Sequence, residues 1–232
     1  MNKGVTMKTA LFVCCLVLSS LAAGNAFADI TDISINTPNA GLSGFTGPYA
    51  NLNIDRTDST HATITFTSLT NGGYLYLLGD GGTADLNVNG TYSLGMVTES
   101  NSIGGFAPSF NHNVPGNVDG FGFFNLSLDN NGGFTESATS IGFELTNTSG
   151  TWASAADVLT PNANGAEAAV HAFACAQPGC STTSGAALTG FAANGGVSVE
   201  QVPEPGTLPL LGLGLIGALG LKRKSQEQEC NE

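Results

Sequence analysis

The sequence predicts an all-β body, a single domain of β-sandwich or jelly-roll type, and three observations carry that reading. Short runs place apolar residues at every second position, clusters of Gly, Asn and Asp separate those runs, and no long helical period occurs between residues 29 and 200. Gly (32 residues) is abundant and charged residues are scarce (10%), a mixture that suits strands joined by tight turns better than helices.

Three runs are clearest. Ala62, Ile64 and Phe66 alternate with Thr63, Thr65 and Thr67. Phe124, Leu126 and Leu128 alternate with Asn125 and Ser127, and Ile141, Phe143 and Leu145 with Gly142, Glu144 and Thr146. Each run offers one face to a core and the other to water. Further strands are expected at 74–78, 85–88, 92–97, 168–174 and 196–200. Turns are expected between strands at Asn71-Gly72-Gly73, Asp80-Gly81-Gly82, Asn89-Gly90 and Asn130-Asn131-Gly132-Gly133.

Before this body stands a three-part secretory layout. Lys3 and Lys8 precede an apolar run from Ala10 to Ala23, and Ala26 and Ala28 supply the small residues a signal peptidase reads. The apolar run is shorter than the ~20 residues that a spanning helix needs. Residues 1–28 are therefore expected to be a cleaved signal peptide, leaving Asp29 as the first mature residue.

Residues 29–200 hold one base, Arg56, against fourteen acids, a formal charge of −13. Such a surface repels phosphate backbones and anionic lipid, so charge disfavours nucleic acid and none is expected as a partner. Cys175 and Cys180 flank Ala176-Gln177-Pro178-Gly179, where Pro-Gly fits the central positions of a type II turn. In an oxidising compartment these two cysteines are expected to form a disulfide. The rival, a metal site with His171 as third ligand, lacks a fourth ligand.

After Glu200 the composition changes to Val202-Pro203-Glu204-Pro205-Gly206, an apolar run over 207–221, and Lys222-Arg223-Lys224. Two prolines flanking Glu204 hold the backbone extended and presentable to a processing enzyme. As a helix the fifteen apolar residues rise about 22 Å, less than a ~30 Å hydrocarbon core, and snorkelling bases make up part of the difference. The positive-inside rule sets Lys222, Arg223 and Lys224 in the cytoplasm and the body outside the inner membrane. Residues 225–232, with Cys230, then form a short cytoplasmic tail.

Pro203-Glu204-Pro205, the Gly-rich apolar stretch and the closing Lys222-Arg223-Lys224 together resemble the PEP-CTERM sorting signal, over residues 201–224. The resemblance implies recognition by an exosortase, an integral-membrane cysteine protease, with processing near Pro203, Glu204 and Pro205. It also implies export through the periplasm to the cell surface or extracellular matrix, and an association with exopolysaccharide. About the chemistry of the body it implies nothing. Within this stretch, Gly212-Leu213-Gly214-Leu215-Ile216-Gly217 has dinucleotide-loop spacing but neither the preceding strand nor the following helix and strand, so no cofactor is expected.

Catalytic signatures are missing: there is no Gly-x-Ser-x-Gly, no His-Glu-x-x-His and no P-loop. His61, His112 and His171 stand in unrelated settings, and His61 and His171 are expected on strands facing solvent or a polar neighbour. The expectation is a non-enzymatic surface or matrix protein, with a glycan- or calcium-binding module and an extracellular hydrolase as alternatives. For calcium, Asp80 and Asp85 in Asp80-Gly81-Gly82-Thr83-Ala84-Asp85 are the candidate ligands, although the segment lacks the dense acids and closing Glu of an EF-hand and a solvated hairpin turn accounts for it better. For sugars, Trp152, Tyr74 and Tyr76 are the aromatic candidates if exposed.

Overall fold

The computed structural model describes residues 29–196, apart from Asn111 and Asn131, without side chains for His112 and Asn113. Fourteen strands follow one another: β1 (Asp29–Ile35), β2 (Thr37–Pro38), β3 (Ala50–Arg56), β4 (His61–Ser68), β5 (Thr70–Asn71), β6 (Tyr74–Leu78) and β7 (Ala84–Leu86). Then come β8 (Tyr92–Leu94), β9 (Thr98–Ser100), β10 (His112–Val118), β11 (Gly122–Asp129), β12 (Ser140–Asn147), β13 (Ala168–Ala176) and β14 (Leu188–Ala193). The only helical pieces among the described residues are two 3-10 turns, Gly133–Glu136 and Ala155–Val158.

All pairing is antiparallel and divides into two sheets. The first runs β1-β3-β4-β12-β8, with β9 also on β12. The second runs β10-β11-β7-β13-β14-β2, with β6 also on β13 and β5 on β6. In the first sheet β3 buries Ala50, Leu52, Ile54 and Arg56 and β4 buries Ala62, Ile64 and Phe66, the period of two read in the sequence. One continuous apolar cluster draws on both sheets, joining Leu52, Ile64 and Phe66 to Leu86, Leu126 and Val170.

Strand β13 is buried at every position but its last. Its even-numbered residues, from Ala168 to Ala174, enter the shared core. The odd-numbered ones face the other side of the second sheet, where smaller clusters cover them. One cluster gathers Val118, Phe121, Phe124, Ala169 and Ala193; another gathers Leu77, Phe173, Cys175 and Cys180. This second covered face holds the candidate site.

Several sequence-based expectations change here. The strand expected over 92–97 is split: Tyr92–Leu94 and Thr98–Ser100 pair with successive stretches of β12, interrupted at Gly95. Likewise β6 and β7 both pair with β13, at Ala172–Ala176 and Ala168–Val170. The Asp80-Gly81-Gly82 segment is therefore an excursion between two pieces on one edge of β13, not a hairpin turn. Asn71-Gly72-Gly73 does close a tight hairpin, with Asn71 paired to Tyr74 and both glycines at positive φ (56° and 83°). The strand expected over 196–200 lies outside the described residues except for Gly196, which belongs to no strand.

Cys175 and Cys180 form a disulfide, with Cα atoms 5.3 Å apart. The turn between them is not type II: the Gln177-Pro178 bond is cis and Gly179 lacks the positive φ a type II turn requires. The cis bond reverses the chain by another route. Both sulfurs being spent on each other, the thiolate metal site with His171 is excluded.

Candidate functional site

Trp152 (1% exposed) and Tyr76 (0%) lie in the core, so neither offers a ring to sugar. Each satisfies its polar tip internally, as buried Trp and Tyr must. Trp152 Nε1 donates to the Asn89 carbonyl at 2.8 Å, and Tyr76 Oη donates to the Thr46 carbonyl at 2.7 Å. Tyr74 is half-buried and sits edge-on to Phe45, with ring centres 4.8 Å apart. The exposed aromatic that sequence reasoning missed is Phe123 on β11, 58% exposed. The alternation read in the sequence set Phe124 on one face with Leu126 and Leu128, but Phe124 packs with Val118, Phe121 and Ala169 on the other side of the sheet, because the β10–β11 register shifts between Val114 and Gly116.

The three histidines do not converge. His61 Nδ1 lies 2.9 Å from Asp58 Oδ2 in the turn between β3 and β4. The Asp58 carboxylate also accepts from the Thr60 backbone N–H at 2.7 Å. That backbone bond, followed by the His61 side chain, holds the Asp58 carboxyl well below the usual carboxylate range. His112 begins β10. His171 is buried (8% exposed) rather than solvent-facing; its Nε2 and Thr189 Oγ1 are 2.7 Å apart, and its ring stacks on Phe191 at 4.3 Å. Burial pushes the imidazole pKa down, against the opposing pull of the Asp80 charge and the nearby Gly81 carbonyl. His171 Nδ1 has no hydrogen bond of acceptable geometry.

The most unusual group is Asp85. It lies at the middle of β7, opposite Ser127 of β11 and Ala169 of β13. Its neighbours Ala84 and Leu86 enter the shared core, so the period of two turns Asp85 to the covered outer face. It is 0% exposed, and neither carboxyl oxygen has a hydrogen-bond partner. Burial, reinforced by the nearby Asp129 charge, pushes its pKa up to about 8. Ser127 Oγ is close enough to favour the ionised form, yet it donates its hydrogen bond to Asp129 Oδ1, at 3.5 Å.

Asp80, the partner expected from sequence, stands at the turn with φ 70° and accepts from Gly81 N on its own side chain. Its charge bears on His171. The carboxylate beside Asp85 is Asp129, on a strand reached forty-odd residues later; no sequence signal links the two. Among the described residues no three His, Cys, Asp or Glu side chains are grouped so as to hold a metal ion. A cleft near the disulfide, lined by Ala176, Gly179, Ser184, Gly185, Ala186 and Ala187, contains no titratable side chain.

Ala26, Ala28, Pro203, Glu204, Pro205, Lys222, Arg223 and Lys224 lie outside the described residues. Among the described residues no helix is long and apolar enough to cross a membrane. Residues 201–224 match the family model of the PEP-CTERM protein-sorting motif. The described residues are thus all-β, and the chain carries a C-terminal sorting motif. That motif implies export and processing by an exosortase, a membrane enzyme. No curated protein and no solved structure matches the chain.

Proposed function

We propose that this is a non-enzymatic protein of the cell surface or extracellular matrix. Its signal peptide is removed after Ala28, and its body is held outside the inner membrane by residues 207–221 until an exosortase acts near Pro203-Glu204-Pro205. From the periplasm it then passes to the surface, associated with exopolysaccharide. The observation that carries this reading is the sorting motif at residues 201–224. The body fits that role as a β-sandwich whose largest buried cluster draws on both sheets. A body whose single Lys or Arg, Arg56, is buried against Asp29 suits a neutral or hydrated glycan environment better than a polyanion. Against the hydrolase alternative stand the separation of the histidines and the burial of Trp152 and Tyr76. Deleting residues 203–221 and fractionating the cells tests the proposal: the truncated protein is expected to leave the membrane and surface fractions. An unchanged distribution would refute it.

A further inference from the structure

We propose that the outer face of the second sheet carries a calcium site formed by Asp85, Ser127 and Asp129. This gives the calcium alternative a different set of ligands from the one the sequence pointed to, and it does not depend on the sorting reading.

The argument begins with an electrostatic imbalance. Taking a carboxyl out of water without a hydrogen bond or a counter-charge is unfavourable, and a buried polar group left without a partner calls for a water or an ion. Asp85 has both oxygens in that condition. The body's one Lys or Arg, Arg56, is bound to Asp29 on the first sheet, 2.7 Å away. The carboxyl is therefore accommodated either by keeping its proton or by a cation from solution, and the oxygens gathered around it suit the cation.

The surroundings supply the rest of a hard-cation site. Ser127 stands opposite Asp85 across the β7–β11 pair and its Oγ donates to Asp129 Oδ1 at 3.5 Å, so a hydroxyl lies on the same face as the two carboxylates. Asp129 is half-buried and joins the buried Asp85 to the surface. Its Oδ1 is fixed by the Gly82 N–H at 2.6 Å, which leaves Oδ2 for a ligand. Two glycines keep side chains away from the carboxyl. A Cβ on Gly82 would stand 3.1 Å from Asp85 Oδ2, and one on Gly116 would stand 3.9 Å from Oδ1 and 3.1 Å from Ser127 Oγ.

The donor set is all oxygen, which favours calcium or magnesium over zinc. Calcium tolerates irregular geometry and completes its shell of six to eight oxygens with water and carbonyls, whereas magnesium demands a near-ideal octahedron. With two carboxylates, affinity belongs in the range of extracellular modules, roughly 0.1 to 1 mM.

Chelator-treated full-length chain, titrated with calcium at pH 7.5, tests the site by calorimetry and melting temperature. Calcium at about ten times the Kd is expected to raise Tm by roughly 4 °C, with magnesium weaker. Asp85→Asn and Asp129→Asn are each expected to abolish the rise, while Asp80→Asn retains it. Asp85→Asn, close in shape and uncharged, is expected to be at least as stable as the parent without calcium; should it fail to fold, Asp129→Asn and Ser127→Ala carry the test. No calcium response in the parent would overturn the proposal. So would a response that survives both Asp85→Asn and Asp129→Asn, because that is binding to a diffuse acidic surface.

Discussion

Arg56 Nε donates to Asp29 Oδ1 across 2.7 Å, tying the last residue of β3 to the first residue of β1. The other Asp29 oxygen accepts from the Ala155 N–H at 2.9 Å, so one carboxylate joins β1, β3 and the second 3-10 turn. The guanidinium is almost fully buried, and taking away the facing carboxylate leaves its charge less compensated. Asp29→Asn is therefore expected to lower Tm by roughly 5 °C, measured by thermal unfolding. Arg56→Met is expected to cost less, since it removes the buried charge and leaves a partly exposed carboxylate that still accepts from the Ala155 N–H. An Asp29→Asn protein with unchanged Tm would show the pair to be incidental.

The pH dependence has two limbs of opposite sign. Asp85 has a folded pKa raised from 3.8 to about 8, so in the absence of calcium the folded protein retains a proton that the unfolded chain releases. Stability contributed by that proton is present below about 4 and declines as pH rises towards about 8. Asp29, Asp32 and Asp58 are shifted the other way. The Ala155 N–H leads for Asp29, the Asn53 and Asn51 side chains for Asp32, and the Thr60 N–H for Asp58. Their contribution is present above 3.8 and is lost as pH falls below it. Urea unfolding of the calcium-free protein from pH 4 to 9 is expected to show a decline that Asp85→Asn flattens. A parallel decline in both proteins would assign it to other groups.

Trp152 supplies the direct test of whether its ring is structural. Trp152→Ala is expected to destabilise by about 3 to 5 kcal/mol, through the cavity and the unpaired Asn89 carbonyl. Trp152→Phe should lose less. A fluorescence change of Trp152 on adding sugar, with no change in stability on replacing the residue, would place the ring at the surface instead.

The disulfide closes a short loop, Cys175 to Cys180, within the cluster that includes Leu77 and Phe173. Replacing both cysteines by serine is expected to cost roughly 2 kcal/mol in denaturant unfolding under oxidising conditions. If a reductant leaves the parent's midpoint unchanged, the bond contributes no stability.

Strands whose pattern is local were legible in the sequence. In β4 and β12 alternating apolar residues named the buried face before any pairing was known. In β11 the alternation held for Leu126 and Leu128 only: Phe124 packs on the other face with Ala169 and Ala193, past the register shift opposite Val114 and Gly116. Strand β3 carried the same signal in Ala50, Leu52 and Ile54 and was overlooked among its polar neighbours. Strand β10 carried little signal: Pro115 and Gly116 read as turn residues, yet the strand lies at a sheet edge, where a missing N–H is tolerated. His171 could not be ranked as buried because both faces of β13 are covered, and that depends on segments distant in sequence. The same limit applied at the candidate site. Asp85 was visible as an acid in a Gly-rich segment, but Asp129 became its neighbour only through the β7–β11 register.

Intact-mass measurement of the protein recovered from the cell surface tests the central claim most directly. The account predicts a chain beginning at Asp29 and ending near Pro203-Glu204-Pro205, so that the masses of residues 1–28 and of the apolar run at 207–221 are both gone. Recovery of the uncut 232-residue chain dissolved in the cytoplasm, with none at the surface, would contradict it.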